Sequence, residues 1–62
     1  MTNKQRAVMS VARAALVRCR DSNVRRMERE RSRRRVEYIL QLNLEVKSAI
    51  KELETELLGA EQ

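Results

Sequence analysis

From position 36 onward, apolar residues return at alternating intervals of three and four: Val36, Ile39, Asn43, Val46, Ile50, Leu53, Leu57 and Ala60. Such spacing is the seam of a heptad repeat, and Asn43 is its single polar member. Asn43 occupies the same sub-position as Val36, Ile50 and Leu57. A buried amide there can meet its partner amide across a parallel two-fold and fix the register, at some cost in stability. Tyr38, Leu40, Leu42 and Leu44 lie off the seam, where a two-stranded coil would leave them in water. The pattern therefore predicts that something besides one partner helix covers this section. A preceding helix folded back as a hairpin is the nearest candidate.

Such a helix is legible upstream. Val8, Val11, Ala12, Ala15, Leu16 and Cys19 share one helical face, with Arg6, Arg13 and Arg20 turned elsewhere. Thr2 and Gln5 fit a capping box, in which each side chain satisfies a backbone N–H of the other residue. Asp21, Ser22 and Asn23 form the one interior cluster of turn and N-cap residues, so a short turn is expected there in preference to an unbroken rod. No proline occurs, and the single glycine is Gly59. From Ser22 to Leu58 nothing stops a second helix, a rod about 55 Å long that Gly59 is expected to cap.

The expected fold is all-α: a short amphipathic helix over 2–20, a tight turn at 21–23, and a long helix over 24–58, basic over 25–35 and zipper-like over 36–60. Val36, Ile39, Asn43, Val46, Ile50, Leu53 and Leu57 are the expected dimerisation residues. Two helical hairpins in a four-helix arrangement rank ahead of a simple forked coiled coil, with parallel and antiparallel pairing both open.

Composition sharpens the need for a partner. A chain of 62 residues with no Trp or Phe and only Tyr38 as an aromatic sits near the lower limit for independent folding, so self-association is the expected source of stability. It reads as one complete unit without a second domain. Cys19 cannot form an internal disulfide and has no histidine to activate it. It reads as a small buried hydrophobe in a reducing, intracellular compartment, the cytoplasm or nucleus, rather than as a catalytic thiol in a secreted scaffold. Arg13, Arg18 and Arg20 interrupt the richest apolar stretch, which falls short of the roughly 20 residues needed to cross a bilayer. Residues 1–20 are basic and acid-free, as in a transit peptide, but charges recur where a signal peptide has its apolar centre, so the segment is read as mature structure.

Charge divides the chain. Residues 1–35 carry +9 and residues 36–62 carry −4, so a basic front can meet phosphates while an acidic tail, with Glu52, Glu54 and Glu56, keeps the zipper solvated. The front culminates in residues 25–35, where Arg25, Arg26, Arg29, Arg31, Arg33, Arg34 and Arg35 face only Glu28 and Glu30. On a continuous helix Arg25, Arg29 and Arg33 would stack on one face, with Arg31 and Arg35 toward a second and Arg34 toward a third. Like charges four residues apart repel, so such a helix is strained until an anion neutralises it. Phosphate is the obvious anion, because guanidinium forks match its oxygens bidentately. Arg18 extends the candidate surface. The bland reading, a solvated charged face, has too few carboxylates to serve seven arginines. An acidic protein or lipid surface is a further alternative, but the lack of Trp and Phe beside the arginines argues against membrane insertion and base stacking.

Two families share parts of this pattern. Ser32-Arg33 and Arg35, followed by heptads and Asn43, resemble the basic-zipper transcription factors, which fork two basic helices across the DNA major groove. Arg25, Glu28 and Arg29 stand where that family has an asparagine and small residues, and Asn43 stands where it has a leucine. Residues 25–35 also resemble the arginine-rich RNA-binding helices of phage antitermination proteins. The layout of short helix, turn and long helix, with Asn23-Val24-Arg25-Arg26, is similar to the nodaviral suppressors of RNA silencing. That resemblance implies a viral, dimeric protein lying along double-stranded RNA and reading its shape through phosphates and 2′-hydroxyls.

The functional expectation is a non-enzymatic, nucleic-acid-binding homodimer, with double-stranded or structured RNA ahead of duplex DNA bound by a basic-zipper-like regulator, and a coiled-coil protein adaptor third. No histidine, glycine-rich phosphate loop or carboxylate pair in an obvious cleft offers catalytic machinery. No cofactor, metal, membrane or small-molecule substrate is expected.

Overall fold

The computed structural model describes residues 2–61, with side chains described through residue 59. Two helices, α1 (Asn3–Arg29) and α2 (Arg33–Glu61), pack against each other as an antiparallel hairpin measuring 45 × 14 × 11 Å. The fold is all-α, with no strand among the described residues. None of these helices is long and apolar enough to cross a membrane.

The entrance to α1 follows the capping box. The Thr2 backbone N–H donates to Gln5 Oε1 at 2.9 Å, and the Gln5 N–H donates to Thr2 Oγ1 at 3.1 Å. The exit does not follow the expected turn, because Asp21, Ser22 and Asn23 lie inside α1 and the chain reverses at Glu30, Arg31 and Ser32. Helices over 2–20 and 24–58 are thereby replaced by two of nearly equal length, 27 and 29 residues. The cap preference of three polar residues is a local effect of about 1 kcal/mol. It is outweighed here because Asn23 finds a buried partner on α2 only if α1 runs through.

Glu30 organises the reversal. It leaves the helix with φ −79° and ψ 132°, and its carboxylate accepts the backbone N–H groups of Arg31 and Ser32, each at 3.2 Å. The Ser32 carbonyl then accepts the Val36 N–H at 3.0 Å, opening α2. A break here also ends the run of like charges that a continuous helix would stack at four-residue spacing. At the far end α2 continues through Gly59, whose φ is not positive. Glycine permits a left-handed cap without imposing one, so the expected cap at Gly59 is corrected.

The heptad seam of α2 turns toward α1. Ile39, Asn43 and Ile50 are buried, while Val36, Val46, Leu53 and Leu57 are half-buried. Ala60, the last seam position, has its side chain outside the described residues. Within one chain, therefore, the expected dimerisation residues pack on the hairpin's own first helix. Asn43 meets Asn23 of α1, whose Nδ2 donates to Asn43 Oδ1 at 3.2 Å, in place of an Asn43 from a second copy.

The face that α1 offers is rotated from the expected one. Met9, Ala12, Leu16, Arg20 and Met27 are half-buried and Asn23 is buried, whereas Val8, Val11, Ala15 and Cys19 are exposed. Large, deformable side chains opposite Ile39 and Ile50 remove more apolar surface from water than Ala15 or Cys19 could, which accounts for the rotation. Cys19, read as buried, is an exposed free thiol whose sulfur accepts a long contact from Asn23 Nδ2 at 3.8 Å. Arg13 borders the seam and donates through Nε and Nη2 to Glu54 Oε1 at 2.9 and 2.7 Å. Because α1 covers the seam itself, Tyr38, Leu40 and Leu44 stay exposed and Leu42 is half-buried.

Candidate nucleic-acid interface

The reversal at residues 30–32 divides the arginine segment among three local structures. Arg25, Arg26 and Arg29 stand on the last turns of α1, Arg31 is in the loop, and Arg33, Arg34 and Arg35 open α2. The three-faced rod expected of a continuous helix is absent, and Arg33 belongs to a different helix from Arg25 and Arg29. What the hairpin does instead is gather all seven at one end of the molecule, with every one exposed. Arg18 is exposed too, but it lies eleven positions before Arg29 on α1, about 16 Å back along the axis.

Few carboxylates answer these charges. Arg33 Nε lies 3.6 Å from Glu37 Oε1, and Arg35 Nη1 lies 4.0 Å from Glu30 Oε1. The Arg33 side chain is 94% exposed, so its pair is worth a few tenths of a kcal/mol at most. Glu30 approaches Arg35, not the neighbouring Arg34, because its carboxylate is already turned to the loop amides. Among the described residues, Arg25, Arg26, Arg29, Arg31 and Arg34 have no carboxylate within 4.0 Å. Residues 25–35 carry seven Arg against two Glu, which equals the +5 formal charge of the whole chain. Elsewhere, then, acids and bases balance.

The helix dipoles treat the two halves of this end differently. Arg26 and Arg29 in the last turn of α1 lie beside free carbonyls, where positive charge is favoured. Arg33, Arg34 and Arg35 crowd the first turn of α2, which holds no acidic residue. There the unpaired N–H groups already present positive charge, and each arginine is opposed by about 0.3–1 kcal/mol. Donors and guanidiniums thus converge on one exposed end where Glu30 and Glu37 answer only Arg33 and Arg35 among the described residues, an arrangement suited to phosphate oxygens.

Two contributors to this geometry escaped the sequence reading. Glu30 reads from the sequence as part of the charge run, but in the structure it builds the loop. Asn23 reads as a turn residue, but in the structure it joins the two helices through Asn43. The Asn23–Asn43 and Arg13–Glu54 contacts are centred on nearly the same point of the chain, close to residue 33. Two apolar stripes mirrored about a charged stretch mark a hairpin with its reversal inside that stretch. The continuous helix implied by the basic-zipper resemblance is interrupted between Arg29 and Arg33, so a basic region running straight into the seam is not formed. Comparison with protein-family models, curated proteins and solved structures finds no match to this chain.

Proposed function

We propose that this chain is a non-enzymatic nucleic-acid-binding protein that acts as a homodimer and holds the phosphate backbone of double-stranded or structured RNA with the arginine end of the hairpin. One observation carries the reading: the formal charge of the whole chain is concentrated in residues 25–35, and five of the seven guanidiniums there lack a carboxylate within 4.0 Å among the described residues. Charge left this incomplete is satisfied by a polyanion, whose bound counterions are released in exchange.

The shape of the end favours backbone contact over base readout. Its Cα cross-section is 14 × 11 Å before side chains are added. A DNA major groove about 12 Å wide admits one helix, not two abreast. The wide, shallow minor groove of A-form RNA presents phosphates and 2′-hydroxyls to a blunt basic surface without requiring deep entry.

The test is a gel-shift series with duplex RNA, duplex DNA and single strands of matched sequence. Duplex RNA should bind best and with little sequence preference. If six or seven arginines each neutralise one phosphate, affinity should fall on the order of 10³-fold between about 50 and about 200 mM salt. Replacing Arg26, Arg29, Arg33 and Arg34 with Gln should abolish the complex while leaving helicity unchanged or raised. Sequence-selective binding to duplex DNA would favour a DNA regulator. No salt-sensitive complex with any strand would overturn the reading in favour of a protein-binding helical module.

A further inference from the structure

The Arg13–Glu54 bridge marks one side of the hairpin. At 100° per residue, Val8, Val11, Ala15 and Cys19 on α1 lie on the opposite side, together with Tyr38, Leu42 and Ala49 on α2. Val8, Val11 and Tyr38 are 63%, 68% and 66% exposed, although Val8 and Val11 belong to the apolar three-and-four stripe of the α1 sequence. The hairpin takes up Ala12 and Leu16 from that stripe and leaves Val8, Val11, Ala15 and Cys19 uncovered.

We propose that a second copy of this chain covers this face, with α1 of each copy stacked on α2 of the other. The inference rests on the homodimer reading above and assigns it a surface. Area supports a second copy as the occupant. Folded monomers of 7.3 kDa expose about 4,200 Å², whereas this hairpin exposes 5296 Å². The excess of about 1,100 Å² is of the size that each partner contributes to a stable interface, about 800 Å².

The charged edges along the shaft bear on both the side and the arrangement. The outer edge of this side is basic along α1, with Lys4 and Arg18, and acidic along α2, with Glu45, Glu52 and Glu56. A two-fold parallel to the long axis sets the basic edge of each copy beside the acidic edge of the other. A two-fold perpendicular to that axis would stack α1 on α1 and α2 on α2, which loses this edge pairing while holding the arginine ends apart. The bridge side offers no such complement. Its apolar residues Leu40, Leu44 and Leu58 are bordered by Lys47 and Lys51 on α2 and by Arg6 and Arg20 on α1, with Glu54 and Asp21 already engaged by Arg13 and Arg20 of the same chain, so neither arrangement sets a basic edge against an acidic one there. The parallel two-fold keeps helix directions, so both arginine ends emerge at the same end of the dimer, a repulsion that the edge pairing and apolar burial along the shaft outweigh and that a bound polyanion relieves.

Sedimentation equilibrium of the full chain tests the assignment. The parent should have twice the 7.3 kDa chain mass, and Val8→Glu with Ala15→Glu should halve it while helical circular dichroism persists. Leu44→Glu, on the bridge side, should leave the dimer intact. For the arrangement, a spin label at Ser32→Cys in a Cys19→Ser background should report a separation between copies well under the 45 Å hairpin length. A monomeric parent overturns the pairing and the surface together. A dimer that survives the Val8 and Ala15 substitutions but is lost with Leu44→Glu overturns this surface alone, and a separation near 45 Å overturns the parallel two-fold. None of these outcomes depends on nucleic acid, so a failure of RNA binding is read separately from the Arg→Gln gel shifts.

Discussion

The two ends of the charge distribution obey different rules. Along the shaft, charges of both signs balance in number and the buried polar groups are matched: Asn23 meets Asn43, Arg13 reaches Glu54 across the hairpin, and no fully buried side-chain nitrogen or oxygen among the described residues lacks a hydrogen bond. At the arginine end, seven guanidiniums face two glutamates and the first turn of α2 sets guanidiniums against its own dipole. The shaft spends its residues on holding the hairpin together. The end carries a standing electrostatic cost that folding alone does not require, and such a cost is expected where a ligand is to be met.

That contrast breaks most visibly in the core. Ile50 is 5% exposed and packs between the helices, so Ile50→Asp buries an unpaired carboxylate at a cost of about 3–5 kcal/mol. For a unit this small, the loss should unfold the chain and remove its helical circular dichroism. Arg→Gln replacements at residues 26, 29, 33 and 34 should leave the melting temperature level or higher. Equal destabilisation by both sets would mean that the arginine end is structural after all.

The buried amide pair sharpens the comparison at the next level. Asn43→Leu strands the Asn23 amide among apolar groups and should cost about 1–3 kcal/mol in denaturant titrations. The double change Asn23→Leu, Asn43→Leu should recover most of that loss, because two apolar residues leave nothing unsatisfied. A double variant whose loss equals the sum of the singles would show that the two side chains are uncoupled. The smallest effect belongs to the Arg13–Glu54 bridge. With both side chains 44% exposed, Glu54→Gln should cost about 0.2–1 kcal/mol in low salt and nothing measurable near about 1 M salt, where the screening length is about 3 Å.

The sequence by itself determined that the chain is helical, where α1 begins, which residues of α2 form its buried seam, and that the arginines are the dominant charge. These features follow from local chemistry and periodicity: a capping box, a three-and-four spacing, an absence of helix breakers before Gly59. Tertiary structure decided where the chain turns, which face of α1 is buried, and whom Asn43 meets. Each of these compares the energies of two packings, and no local propensity contains that comparison. Asp21, Ser22 and Asn23 have the chemistry of a turn, but burying Asn23 against Asn43 and Met27 beside α2 outweighs it. The same choice of reversal point carried Arg33, Arg34 and Arg35 back beside Arg25, Arg26 and Arg29. Residue types supplied the charge, and the hairpin gathered it at one end.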